Sequence, residues 1–121
     1  MIETFISMAL LFHDVMDIDR YQELTRRTAI YPNREALVYT SLGLNDESGE
    51  VAGAVKKHIR GDYGEEELRS RVKSEAGDTL WYWVRLLDEL DIDASDAMEK
   101  NANKVLDRLE RDKIRGDGEE R

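Results

Sequence analysis

The 121-residue sequence has no cysteine and a single proline, and phenylalanine, tryptophan and tyrosine together make up only 7% of it. Without cysteine, disulfides, thiolate zinc sites and cysteine nucleophiles are excluded together, and a reducing cytoplasm is the expected setting. Long apolar runs are missing too. The longest stretch near the start, Met8 to Phe12, is followed at once by His13 and Asp14 and has no basic segment before it. It therefore reads as neither signal peptide nor membrane span, and no membrane partner is expected. Positive charge is in deficit: 18 basic against 27 acidic side chains leave a net charge of -9. Such a field repels polyanions, so duplex nucleic acid is not an expected partner.

What remains is rich in helix-forming, charged residues, at 37% Asp, Glu, Lys and Arg. Residues 1–16 read as an N-terminal extension, with the domain proper over 17–121. Asp17 and Asp19 can open a helix carrying Tyr21, Leu24, Thr28 and Tyr31 until Pro32 ends it. A second helix follows Asn33, with Leu37, Leu44, Val51, Val55 and Ile59 at helical spacing up to Gly61. The third opens on Glu65-Glu66-Glu67, acids suited to a positive helix terminus, and carries Leu68, Val72, Leu80, Trp83, Val84, Leu87 and Leu90. Asp93 can cap a fourth helix that includes Asn101, Lys104, Val105 and Leu109, and a flexible tail is expected from about residue 113. No alternation of strand type is present. The expected fold is an all-α, four-helix bundle.

Glycine costs about 1 kcal/mol against alanine inside a helix, yet the second helix holds Gly43, Gly49 and Gly53 and the third holds Gly77. Close backbone approach is the compensation expected of them. Beside them stand two acidic pairs, Glu47 with Glu50 and Glu75 with Asp78, each three residues apart and so on one helix face. Carboxylates converging near an apolar arc repel one another unless a cation neutralises them. An all-oxygen ligand set suits Mg²⁺, with Mn²⁺ as a substitute. A di-iron centre would need Glu-x-x-His, and Leu10 and Val55 occupy the positions three before His13 and His58.

The runs Leu44-Asn45-Asp46-Glu47-Ser48-Gly49-Glu50-Val51 and Ser74-Glu75-Ala76-Gly77-Asp78-Thr79-Leu80-Trp81-Tyr82 resemble the E-E-x-x-E and E-x-x-D motifs of the MazG-like nucleotide pyrophosphohydrolases. The later Asn101-Ala102-Asn103-Lys104 and Gly116-Asp117-Gly118 resemble that family's C-terminal helix and tail. Asp46 stands where the motif has its first glutamate. The resemblance implies an all-α enzyme that cuts nucleoside triphosphates between the α and β phosphates, giving monophosphate and pyrophosphate. It implies Glu47, Glu50, Glu75 and Asp78 as metal ligands, with one of them, or another acid behind them, able to take a proton from the attacking water. It also implies Asn101 and Lys104 as contacts to phosphate or sugar. Tyr82, one turn after Asp78, can close over the metal or stack on a base; Trp81 and Trp83 are expected to point elsewhere, Trp83 into the core. Lys56, Lys57, Lys113, Arg115 and Arg121 are further candidates for the triphosphate. The competing reading is a non-catalytic helical protein that binds a nucleotide or a partner chain. Apolar positions on more than one side of the second helix, Val38 and Leu42 opposite Leu37 and Val55, predict a homodimer or homotetramer.

Overall fold

Asp17 opens the first helix, its carboxylate accepting the Arg20 amide at 2.8 Å. The computed structural model describes residues 15–121; most of the 1–16 extension lies outside them. Among the described residues there are four α-helices and no strand: α1 (Ile18–Thr25), α2 (Ala36–Ile59), α3 (Glu65–Glu89) and α4 (Ala94–Glu110). α1 is shorter than its spacing suggests. It tightens into a 3₁₀ turn over Arg26–Thr28 and leaves the helical region at Ala29, well before Pro32. The hydroxyls of Thr25 and Thr28 donate to Gln22 O and Thr25 O, the local bonding by which threonine loosens a helix.

α2 and α3 form the central pair. Gly61, at φ 89°, turns the chain between them, and the Tyr63 hydroxyl anchors the turn on Ala54 O at 2.6 Å. Their antiparallel register shows in two contacts: Gly43 meets Tyr82, and one turn along Glu47 meets Asp78. α1 packs on α3 and α4, and Asp91, at φ 55°, turns the chain from α3 into α4. The Asp93 side chain does not cap α4; the Gln22 side chain of α1 accepts the Ala94 amide instead, at 2.7 Å.

The buried centre is small and unusually polar. Val84 and Thr40 are its largest fully buried side chains, joined by Ala36, Ala54, Ala94, Gln22 and Thr25. Arg85 is buried with them and is neutralised on its own helix by Asp88 at 2.7 Å and Glu89 at 2.8 Å. The α2 face toward α3 carries Ala36, Thr40, Gly43, Glu47 and Ala54, spaced by three, four or seven. The apolar stripe that marks α2 in the sequence is largely exposed, with Leu37, Val55 and Ile59 on the surface. Small residues face α3 because they let the two helices approach closely.

Candidate metal centre

The α2–α3 register sets the acids. One carboxylate oxygen from each of Glu47, Glu75 and Asp78 lies within 4.8 Å of the other two. Among the described residues, none of the three carboxylates accepts a hydrogen bond or forms an ion pair. Burial, then the negative charges of Asp78, Asp46, Glu75 and Glu50, push the Glu47 carboxyl above its ordinary range. This trio is therefore a set of hard oxygen donors in mutual repulsion, which a divalent cation of the magnesium type would neutralise. The residues fit such an ion.

Glu50 stands level with Glu75 in the same register but is exposed and lies outside the trio. Asp46 ranks ahead of Glu75 and Glu50 in its influence on Glu47, so the residue at the motif's altered first position belongs to the same negative field.

Beside the trio opens a cleft of about 460 Å³ lined by Thr28, Glu47, Asp78, Trp81 and Tyr82. Tyr82 lines this cleft, its ring pressed on the α2 backbone at Gly43. Trp81 does not point elsewhere: it joins the cleft, its indole N–H donating to the Thr28 hydroxyl at 2.9 Å. It meets Tyr82 edge-on at 4.9 Å and Tyr31 at 6.3 Å, and Tyr31 stacks on Tyr39 at 5.1 Å. Trp81 and Tyr82 thus flank Glu47 and Asp78, with Tyr31 and Tyr39 packed behind them. Tyr31 and Thr28 come from the segment after α1, whose path the sequence pattern misjudged. Tyr39 carries a signal that was available, one turn before Gly43 on the same helix.

Of the close approaches expected at glycine, Gly43 alone bears one out, since a Cβ there would overlap the Tyr82 ring. At Gly49, Gly53 and Gly77 a Cβ would meet nothing within 4 Å. Asn101 and Lys104 do not line the acidic cleft. They line a separate pocket of about 570 Å³ with Trp83, Ala97, Met98, Lys100 and Glu119. Trp83 is accordingly half-buried at that pocket. Arg121 holds Gly118 O at 2.6 Å, within the tail itself.

Residues 38–111 match the MazG nucleotide pyrophosphohydrolase domain, a span that includes both acidic pairs, Tyr82, Asn101 and Lys104. The chain belongs to that family. It is also similar to the Gene 37 protein of Mycobacterium phage L5, with 38% identity over 114 residues covering 88% of this chain and 100% of that protein. No solved structure matches. Membership of the MazG family agrees with the all-helical fold, and no helix among the described residues is long and apolar enough to cross a membrane.

Proposed function

We propose that the protein is a Mg²⁺-dependent nucleoside triphosphate pyrophosphohydrolase acting in the cytoplasm, with Mn²⁺ as a substitute ion. It would cut between the α and β phosphates to give nucleoside monophosphate and pyrophosphate. The observation that carries this reading is the meeting of Glu47, Glu75 and Asp78 across the α2–α3 seam inside the MazG-matching span. Water attacks a polyphosphate only when the oxygens' charge is screened and the water is activated, and clustered divalent ions supply both. Glu47, Glu75 and Asp78 would hold the metal in this reading, with Glu50 as the fourth candidate ligand. Tyr82 takes the base or ribose on its exposed ring face, with Trp81 beside it. Asn101 and Lys104 serve phosphate oxygens or sugar. The working unit is a homodimer or homotetramer, because Val38 and Leu42 are 64% and 66% exposed on one face of α2.

The test is chromatography of the products formed from the common ribo- and deoxyribonucleoside triphosphates with Mg²⁺. Monophosphate plus pyrophosphate is expected, and chelation abolishes it. Nucleoside diphosphate plus orthophosphate would move the cut to the β–γ bond and overturn the reading. Nucleotide binding without turnover of any triphosphate would favour the non-catalytic alternative.

A further inference from the structure

Trp81 and Tyr82 are consecutive residues of α3, so their side chains leave the helix about 100° apart. Both nevertheless line the cleft beside Glu47 and Asp78. The Trp81 indole reaches it because two contacts from the segment after α1 hold it there. Its N–H donates to the Thr28 hydroxyl at 2.9 Å, and the Tyr31 ring stands against it at 84° with centroids 6.3 Å apart. The Thr28 hydroxyl is itself oriented, donating to Thr25 O at 3.1 Å.

Tyr31 lies in the link of residues 29–32, outside any helix, where the following Pro32 disfavours helical backbone. Its hydroxyl fixes a segment that no helical ladder holds. The hydroxyl donates to the Glu89 carboxylate and accepts from Arg85 Nε at 3.1 Å. Arg85, only 4% exposed, spreads its other nitrogens over Asp88 at 2.7 Å, Glu89 at 2.8 Å and the Thr25 hydroxyl at 3.4 Å. On its other side the Tyr31 ring stacks on Tyr39 at 5.1 Å, and Tyr39 meets Tyr82 at 6.3 Å. The rings of Tyr31, Tyr39, Tyr82 and Trp81 therefore close a circuit. A buried ion cluster adds little net stability, because desolvating the charges offsets their attraction. What Arg85 supplies is geometry, through a planar fork whose bonds have fixed directions. Apolar residues could hold α1 on α3 equally well, but would give the Tyr31 hydroxyl no fixed place.

We infer that Tyr31 is a positioning residue of the cleft: clamped by Arg85 and Glu89, it holds Trp81 against Tyr82 and so fixes the wall beside Glu47 and Asp78. The inference rests on the reading above that this cleft receives the nucleoside of the substrate. It makes Tyr31 and Arg85 determinants of nucleotide affinity that neither touch the nucleotide nor hold metal. Loosening the clamp releases Trp81 and leaves the three carboxylates in place.

The experiment follows the indole N–H resonances of the full chain by NMR in EDTA, with the Trp81 signal assigned through Trp81→Phe. Thr28→Val removes the acceptor of that N–H and gives the reference for a released indole. Tyr31→Phe keeps the ring and deletes only the hydroxyl. It should move the Trp81 resonance toward the reference and speed its exchange with water about 3- to 10-fold. Arg85→Lys keeps a charge between Asp88 and Glu89 but loses the fork, and should do the same. Tyr63→Phe deletes a comparable hydroxyl bond, to Ala54 O at 2.6 Å, and should lower the melting temperature while leaving the Trp81 resonance in place. With Mg²⁺ and whichever common nucleoside triphosphate turns over fastest, Tyr31→Phe and Arg85→Lys should raise KM about 3- to 10-fold at unchanged kcat, and Tyr63→Phe should leave both at wild-type values. A Trp81 resonance that stays at its wild-type position in Tyr31→Phe, a shift shared by Tyr63→Phe, or a fall in kcat at constant KM would each overturn the inference. If the resonance moves as expected while no triphosphate is hydrolysed, the proposed activity fails and the clamp stands; hydrolysis with an unmoved Trp81 gives the reverse.

Discussion

The ring of Tyr82 occupies the space into which a side chain at Gly43 would project. That contact fixes the spacing of α2 and α3 one turn from the place where Glu47 meets Asp78. Gly43→Ala drives a methyl group into a ring already bounded by Trp81 and Tyr39. A loss of about 1–3 kcal/mol is expected from the overlap. Gly49→Ala, Gly53→Ala and Gly77→Ala meet nothing, so each should instead gain up to about 1 kcal/mol from helix propensity. Thermal melting of the four variants checks both signs at once. A neutral Gly43→Ala would mean that the tyrosine is not seated on the α2 backbone.

Asp88 gathers α1 onto α3. It accepts from Arg26 Nη2 at 2.8 Å, Arg85 Nη1 at 2.7 Å and Gln22 Nε2 at 3.1 Å. The Arg26 bond first, with Arg85 and Gln22 behind it and burial opposing, lowers its carboxyl from 3.8 to about 2. A depressed folded value means stability that is fully present above the unfolded value and disappears as pH falls from about 4 through 2, here about 2 kcal/mol. Asp88→Asn should melt earlier at neutral pH and lose that acid-side slope. An unchanged slope in the variant would assign the acid sensitivity to other carboxylates.

The exposed α2 stripe gives a third expectation. Val38 and Leu42 lie four residues apart on one face, with apolar side chains mostly in contact with water. Light scattering should give a mass of two or four chains, and Leu42→Glu should shift it toward one. A wild-type monomer at micromolar concentration removes the argument for an intersubunit face.

Helix number and most helix ends were legible because capping and spacing are local. Asp17, the Glu65-Glu66-Glu67 start and the Asp91 break behave as their chemistry suggests. What failed is tertiary. The leucine positions of α2 have good helical spacing, yet the face meeting α3 is built from alanine, threonine and glycine, and periodicity cannot say which of two adjacent stripes a partner will choose. Three-residue spacing put Glu75 and Asp78 on one face, and both meet Glu47, but the same spacing did not bring Glu50 into the trio with Glu47. Trp81 was misread because its neighbour Thr28 sits in a 3₁₀ turn after α1, which an α-helical plot does not place. The Gln22 cap on Ala94, seventy-two residues away, has no sequence signal at all.

The metal assignment makes the sharpest demand on the acids. Glu47 is held above its ordinary range by burial and by its negative neighbours, so at neutral pH its charged form is less favourable in the folded chain than in the unfolded one. An acid raised in this way costs stability as pH rises past its unfolded value, and removing its charge recovers that cost. Glu47→Gln should therefore melt in EDTA at or above the wild-type temperature. Glu75→Gln and Asp78→Asn, which each remove one neighbour from the same field, should behave alike. With Mg²⁺ the order inverts. Wild type gains stability by binding the ion only in its native state, about 2.7 kcal/mol at a hundredfold excess over Kd, and the three variants gain little and lose hydrolysis. Acids that capped helices or paired with lysines would give the opposite pattern, with melting temperatures that fall in EDTA. Variants that melt early without metal yet hydrolyse triphosphates at wild-type rates would end the case for a metal centre at Glu47, Glu75 and Asp78.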